Sequence, residues 1–291
     1  MTNSTAKRIK NSFMKRILIF LILIFLVVSF LTRETLALDY IKDLSKEDKF
    51  IALNVAAASA TFLWGLAFWD YGEYGPHFKT EKWFSEDSYR GGADKVGHLY
   101  ATYLICTVLA SLYSSWGYEK DEAARLGALS SFTLQALMEV GDSISRYGFS
   151  YEDVIMNGLG SFIGYLHYRY PDFSRKIDMR LEYFPSKGLL EKKRLNFSTD
   201  YDGMKFLFAI KLDGFDFIKD KYLKYLELHV GYYTRGYKWE TTREKSRNIY
   251  FGVGVSISKI LESLSLKKTS KIFNYYQLPY TYIPVKHDFN D

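Results

Sequence analysis

The chain is poor in the features from which a function is usually read. Cys106 is the only cysteine, which excludes an intrachain disulfide and any metal site built on thiolates. It leaves the redox compartment open, because 291 residues can bury a large core without disulfides. No nucleophile elbow, P-loop, dinucleotide fingerprint or H-E-x-x-H motif occurs. There is no internal repeat and no low-complexity tract. The formal net charge is +6, but Lys7, Arg8, Lys10, Lys15, Arg16 and Arg33 against Glu34 put +5 of it in the first 37 residues. The +1 that remains is no nucleic-acid footprint. Mean hydropathy is slightly negative, low for a protein made mainly of membrane spans.

What the sequence does contain begins with a leader. Basic residues precede an unbroken apolar run from Ile17 to Leu31, and Thr35-Leu36-Ala37 resembles a small-residue cleavage site. The pattern predicts a secretory signal peptide over 1–37, with Met14 as an alternative start. An uncleaved anchor is the rival reading, although the run is shorter than the ~20 residues a spanning helix needs. Both place the rest of the protein outside the cytoplasm, in the bacterial cell envelope, periplasmic or membrane-associated.

Aromatics are abundant, with 25 Tyr and 22 Phe. Phe50 to Trp69 is apolar except for Asn54, is preceded by Ser45 and Asp48 at capping-box spacing, and is long enough to span a bilayer. Its Ala and Gly content suits a soluble bundle's central helix equally well. After a polar loop, helices are predicted from Ala93 to Trp116, from Asp121 to about Tyr147, and from Ser150 to Arg169, where Pro171 stops the last. From Phe197 the period changes to two. Met204, Phe206, Phe208, Ile210 and Leu212 share one face, as do Leu226, Leu228, Val230 and Tyr232, and Ile249, Phe251, Val253, Val255 and Ile257. These are strands expected to bury their apolar face, too few to close a transmembrane barrel. The expected fold is therefore α+β, with a bundle of about four helices over 45–170 and a small antiparallel β-sheet over 195–260. A short helical and extended tail, 261–291, is expected to lie over the surface.

Three of the helices carry polar stripes. Asp94 and His98 are four apart, with Lys95 beside them. Gln135, Glu139, Asp142 and Arg146 follow the same spacing, and Asp153 and Asn157 lead into Gly160, Ser161 and Gly164. Each has an ordinary explanation: Asp94 suits a helix N-terminus, Glu139 can pair with Lys95 or Arg146, and a lone His98 is commonly a bonded core residue. Together they are expensive in apolar helices unless paired or functional. If the stripes face one another, His98, Glu139 and Asp153 are candidate catalytic groups. Asp94, Lys95, Asp142, Arg146 and Asn157 are then the candidate substrate-binding groups.

The stretches F-W-D-Y-G (68–72), K-W-F (82–84), G-G-A-D-K-V-G-H (91–98), M-E-V-G-D (138–142), Y-G-F-S-Y-E-D (147–153) and N-G-L-G (157–160) resemble the YfiM family of predicted periplasmic lipoproteins. Y-F-P-S (183–186), D-Y-D-G (200–203), V-G-Y-Y-T-R-G-Y (230–237) and R-N-I-Y-F-G-V-G (247–254) are similar to its longer members. The D-K-x-x-H helix start, the internal Glu139 and Asp153-x-x-x-Asn157-x-x-Gly160 also resemble VanZ-like membrane proteins. These resemblances imply a membrane-associated helical core whose polar residues belong together, with no established reaction. The leader departs from the lipoprotein pattern in having no cysteine at its cleavage site.

Two functional expectations follow. The first is an envelope structural or interaction protein, whose partners are a membrane or envelope component and, through the Tyr-rich β region, a protein. The second is an envelope enzyme or ligand-binding protein for a lipid or phosphorylated precursor. There His98 acts as general acid or base, Glu139 or Asp153 orients it, Lys95 and Arg146 meet the anion, and Asn157 bonds developing charge. A divalent metal on His98, Glu139 and Asp153 is a variant that no tight ligand motif demands. No cofactor is specified.

Overall fold

The computed structural model describes residues 43–191, 199–237 and 244–288; the expected signal peptide or anchor lies outside the described residues. The fold is α+β, with helices in the N-terminal half and a five-stranded antiparallel sheet after them. The chain divides into two compact units. Among the described residues one comprises 43–79, 113–118 and 133–151, and the other 80–112, 119–132, 152–191, 199–237 and 244–288.

In the first unit, α1 (Lys46–Phe68) opens on Ser45, whose hydroxyl accepts from the Asp48 amide at 3.0 Å. Asn54 is satisfied by donating to Phe50 O at 2.8 Å and Tyr113 Oη at 2.9 Å. The opposite side of α1 exposes Ile51, Val55, Phe62 and Trp64. Tyr71 plugs this unit: its hydroxyl donates to Met138 O at 3.0 Å. Its ring fills the space that a side chain at Gly65 or Gly141 would need, with a Cβ there 2.1 or 2.2 Å from the ring.

The helices α2 (Ala93–Ser115), α3 (Lys120–Asp142) and α4 (Tyr151–Arg169) follow. The third helix ends at Asp142 and not near Tyr147. Asp142 O instead accepts from the amides of Ser145 and Gly148 in a turn, and Gly148 sits at φ +80°. Serines competing for backbone bonds and a left-handed glycine stop the helix there. In the second unit, small residues let helices approach closely. A Cβ on Gly160 would lie 2.2 Å from Leu99 O, and one on Gly164 would lie 2.6 Å from Cys106 Cβ. Ser161 Oγ donates to Ala128 O at 2.7 Å.

After the short α5 (Pro171–Lys176), the strands β1 (Ile177–Tyr183), β2 (Met204–Lys211), β3 (Leu226–Arg235), β4 (Ser246–Val255) and β5 (Tyr282–Asp288) form a meander in that order. The sheet thus starts before 195 and recruits the tail, where alternation is too short or is masked by Pro284 to read as a strand. Tyr275–Gln277 also bonds the free edge of β1, through Leu181 N to Tyr275 O at 2.9 Å and Gln277 N to Leu181 O at 3.0 Å. The same C-terminal stretch therefore partly covers the β1 edge at Leu181 and adds β5 as the strand at the other edge.

The two faces of this sheet invert the expectation for β3 and β4. Register places Phe208, Val230, Phe251 and Val285 in one cross-strand row, and Ile210, Leu228, Val253 and Ile283 in the next. On β1 and β2 this face meets the helices, where Met179, Met204 and Phe206 pack with Leu99, Tyr100, Tyr103 and Met156. On β4 and β5 it is open: Phe251 is 58% exposed, Ile283 78% and Val285 73%. The opposite face, with Asp178, Arg180, Glu227, His229 and Tyr250, is the buried one. Its tyrosine is inside, and the exposed side is aliphatic with Phe251.

That buried face is held by charge pairing. Arg180 grips Glu227 with both terminal nitrogens, at 2.6 and 3.0 Å, and also reaches Asp178 at 3.2 Å and Gln277 Oε1 at 3.0 Å. Lys211 and His167 meet Asp178 at 2.9 and 3.2 Å, and His229 meets Glu227 at 2.8 Å. Tyr250 covers Gly231, its register partner, where any Cβ would strike the ring. Burial opposes ionisation of Asp178 and Glu227, but the bonds from His167 and His229 and the cations Lys211 and Arg180 hold both carboxyls below their ordinary values.

Candidate functional site

The motif that opens α2 begins with a tight glycine turn held against the sheet. Gly91 and Gly92 adopt φ of +62° and +82°, and side chains on them would collide with Tyr237 and Phe84 respectively. Gly91 O accepts from Tyr232 Oη, and the Phe84 ring stands edge-on to Tyr232 at 5.4 Å. This turn delivers Asp94, Lys95 and His98 on the first turns of α2 to Asp153 and Asn157 on α4.

Lys95 is the centre of the cluster and is fully buried. Its ammonium donates to Asp153 Oδ1 at 2.8 Å, lies 3.2 Å from Asp94 Oδ2, and bonds Glu81 Oε2. Burial works against its charge, yet Asp94, Asp153 and Glu81 together hold its pKa above the ordinary lysine value. The three carboxylates lie within 4.8 Å of one another, a spacing that suits a cation. Here the protein supplies that cation itself, since Lys95 stands among them. Glu81 bears the cost: burial, then the charge of Asp94, pushes its carboxyl up to about 7 against the opposing pull of Lys95. The Glu81 backbone amide is tied to the buried Glu152 carboxylate at 3.1 Å.

His98 lies beside this cluster and retains 16% side-chain exposure. Its Nδ1 is 3.2 Å from Asn157 Oδ1, an atom that also accepts from Thr102 Oγ1 at 3.0 Å. The Thr102 hydroxyl lies 2.8 Å from the carbonyl of His98 itself. The other ring nitrogen, Nε2, faces Asp153 Oδ1 at 3.7 Å. Asn157 is completely buried, and its Nδ2 has no hydrogen-bond partner among the described residues. The arrangement sets the His98 imidazole beside the Lys95 ammonium and the carboxylate of Asp153.

Of the residues singled out in the sequence, the second unit brings together Asp94, Lys95, His98, Asp153 and Asn157. Glu139, Asp142 and Arg146 belong to the first unit. There Glu139 is buried, and Arg146 lies in the turn after α3, off the helical stripe, 3.1 Å from Asp70. Sequence reasoning missed Glu81, which comes from an irregular loop with no periodicity to mark it. It also missed the Arg180–Glu227 pair. The only signal for that pair was charged residues alternating with apolar ones in strands.

Residues 80–169 match the model of a family described as "Predicted periplasmic lipoprotein (DUF2279)". That stretch holds every member of the Lys95 and His98 cluster, and over it the chain is similar to a periplasmic lipoprotein-like domain. The match agrees with an exported protein of the bacterial envelope, periplasmic or membrane-associated. No curated protein and no solved structure matches the chain.

Proposed function

We propose that this is a membrane-associated structural or interaction protein of the bacterial envelope, of YfiM-like type, exported by its N-terminal leader. The observation that supports this reading is α1. It has 23 residues, no charged residue between Lys49 and Asp70, and outward-facing Ile51, Val55, Phe62 and Trp64. It is one of two described helices long and apolar enough to cross a membrane; the other, α2, is half buried within the protein. Large exposed apolar surface on an exported protein marks a membrane or partner contact. The test is carbonate extraction of cell envelopes. The wild-type chain is expected in the membrane pellet, and a Val55→Lys, Phe62→Lys double variant in the soluble fraction. Wild-type protein released whole by osmotic shock, without membranes, refutes the proposal.

The alternative is an envelope enzyme or ligand-binding protein for a lipid or phosphorylated precursor. It is favoured by the partly exposed His98, set by Asn157 with Asp153 3.7 Å away. In that reading Lys95 is a positioning residue whose charge orders Asp153. His98→Ala at normal abundance with loss of phenotype supports this alternative, whereas an unchanged phenotype removes it.

A further inference from the structure

Within the second unit, the apolar face of the sheet and the first turns of α2 and α4 leave a cavity of about 590 Å³ between them. Leu99, Met156, Met179, Phe206, Phe208 and Val230 line it, and Arg247 is the one charged side chain among its described lining residues. We infer that this cavity binds a single-chain anionic amphiphile, a long-chain fatty acid, with its acyl chain among those side chains and its carboxylate on Arg247. The inference is independent of α1 and of membrane insertion, since the cavity is built wholly within the second unit.

Size and chemistry lead to this class. The volume lies inside the ~300–1,000 Å³ range of small-molecule sites. At roughly 30 Å³ per water-sized group it holds on the order of twenty methylenes, one long chain and not two. A cavity this size with an apolar lining offers water few partners and favours an alkyl chain. Met156 and Met179 provide flexible, polarisable walls that adapt to a bent chain. The lining leaves one place for a polar head. Arg247 precedes Ile249 and Phe251 by two and four residues, so it sits on the same face at the end of β4. Its Nη1 donates to Phe84 O at 2.7 Å, which ties it to the loop residue that forms one wall. A guanidinium presents donors in a planar fork that matches a carboxylate. Phe84, the residue that bonds Arg247, is 38% exposed and brings this end of the cavity to the surface, so the carboxylate stays near water.

The test uses the full chain in phosphatidylcholine nanodiscs and a palmitate analogue with a mid-chain diazirine, mapped by mass spectrometry after photolysis. Labelling is expected on peptides containing Met156, Met179 or Val230, saturable and displaced by unlabelled palmitate. Affinity should rise about three- to fourfold per methylene from laurate to palmitate. Arg247→Gln should weaken palmitate at least tenfold while leaving uncharged hexadecanol unchanged. Val230→Trp, at a half-open position where the indole reaches into the cavity, should abolish labelling by both with the circular dichroism spectrum unaltered. Should Arg247→Gln fold poorly, the ratio of palmitate to hexadecanol affinity in the wild type carries the same information. Labelling confined to α1, labelling unaffected by Val230→Trp, or equal affinity for palmitate and hexadecanol overturns the assignment. Displacement by phosphatidylglycerol vesicles but not by free palmitate also overturns it, since the ligand is then a membrane lipid.

Discussion

Replacing Glu81 by Gln removes one titrating proton from the Lys95 cluster, and the structure fixes the sign of the effect. In the unfolded chain Glu81 ionises near 4.5, whereas in the folded protein burial and then Asp94 raise it to about 7. Below about 4.5 both states hold the proton and the carboxyl contributes no pH dependence. Between about 4.5 and 7 the unfolded chain releases it while the fold retains it, so the Glu81 contribution to stability falls as pH rises. Above 7 both are ionised and the loss is complete. At about 1.4 kcal/mol per pKa unit, the window is worth on the order of 3 kcal/mol. Glu81→Gln keeps an acceptor for Lys95 without the charge. Its stability relative to wild type should therefore climb by that order between pH 4.5 and 7.5. The assay is urea unfolding of both proteins at five pH values in one mild detergent, followed by tryptophan fluorescence. A pH-independent difference refutes the reasoning. A difference that shrinks with pH shows that Lys95 dominates, with Glu81 held below its ordinary value.

Lys95→Met leaves Asp94, Asp153 and Glu81 facing one another without their cation. It should cost roughly 3–5 kcal/mol at neutral pH in the same unfolding assay, with part regained on adding Asp153→Asn. Gly141→Ala places a Cβ 2.2 Å from the Tyr71 ring and should destabilise by about 1–3 kcal/mol; Tyr71→Leu in that background should recover part of the loss. Arg180→Met strips the buried Glu227 and Asp178 of their guanidinium and should cost about 3–5 kcal/mol. Adding Glu227→Gln should restore part of that, and denaturant midpoints for the three proteins decide it.

Most of the candidate site was legible because helical spacing is a local property. Asp94 and His98 are four apart, as are Asp153 and Asn157, and Gly160 and Gly164 do seat α4 against α2. Arg146 shows the limit of that rule: the spacing from Asp142 holds in sequence, but the helix ends first because the turn to Gly148 captures the Asp142 carbonyl. Glu81 carries no period and reaches Lys95 only through the path of its loop.

The sequence by itself determined the helices, the change to a period of two, and which strand residues share a side, because these follow from backbone geometry within a few residues. Only the tertiary structure decided which side of the sheet is buried. Alternation is symmetric and names two faces without ranking them. In β3 and β4 the polar face goes inside, because Arg180, Glu227, Asp178 and Lys211 neutralise one another across strands that are distant in the chain. On β4 and β5 the apolar face is then left outside, with Phe251, Ile283 and Val285 exposed.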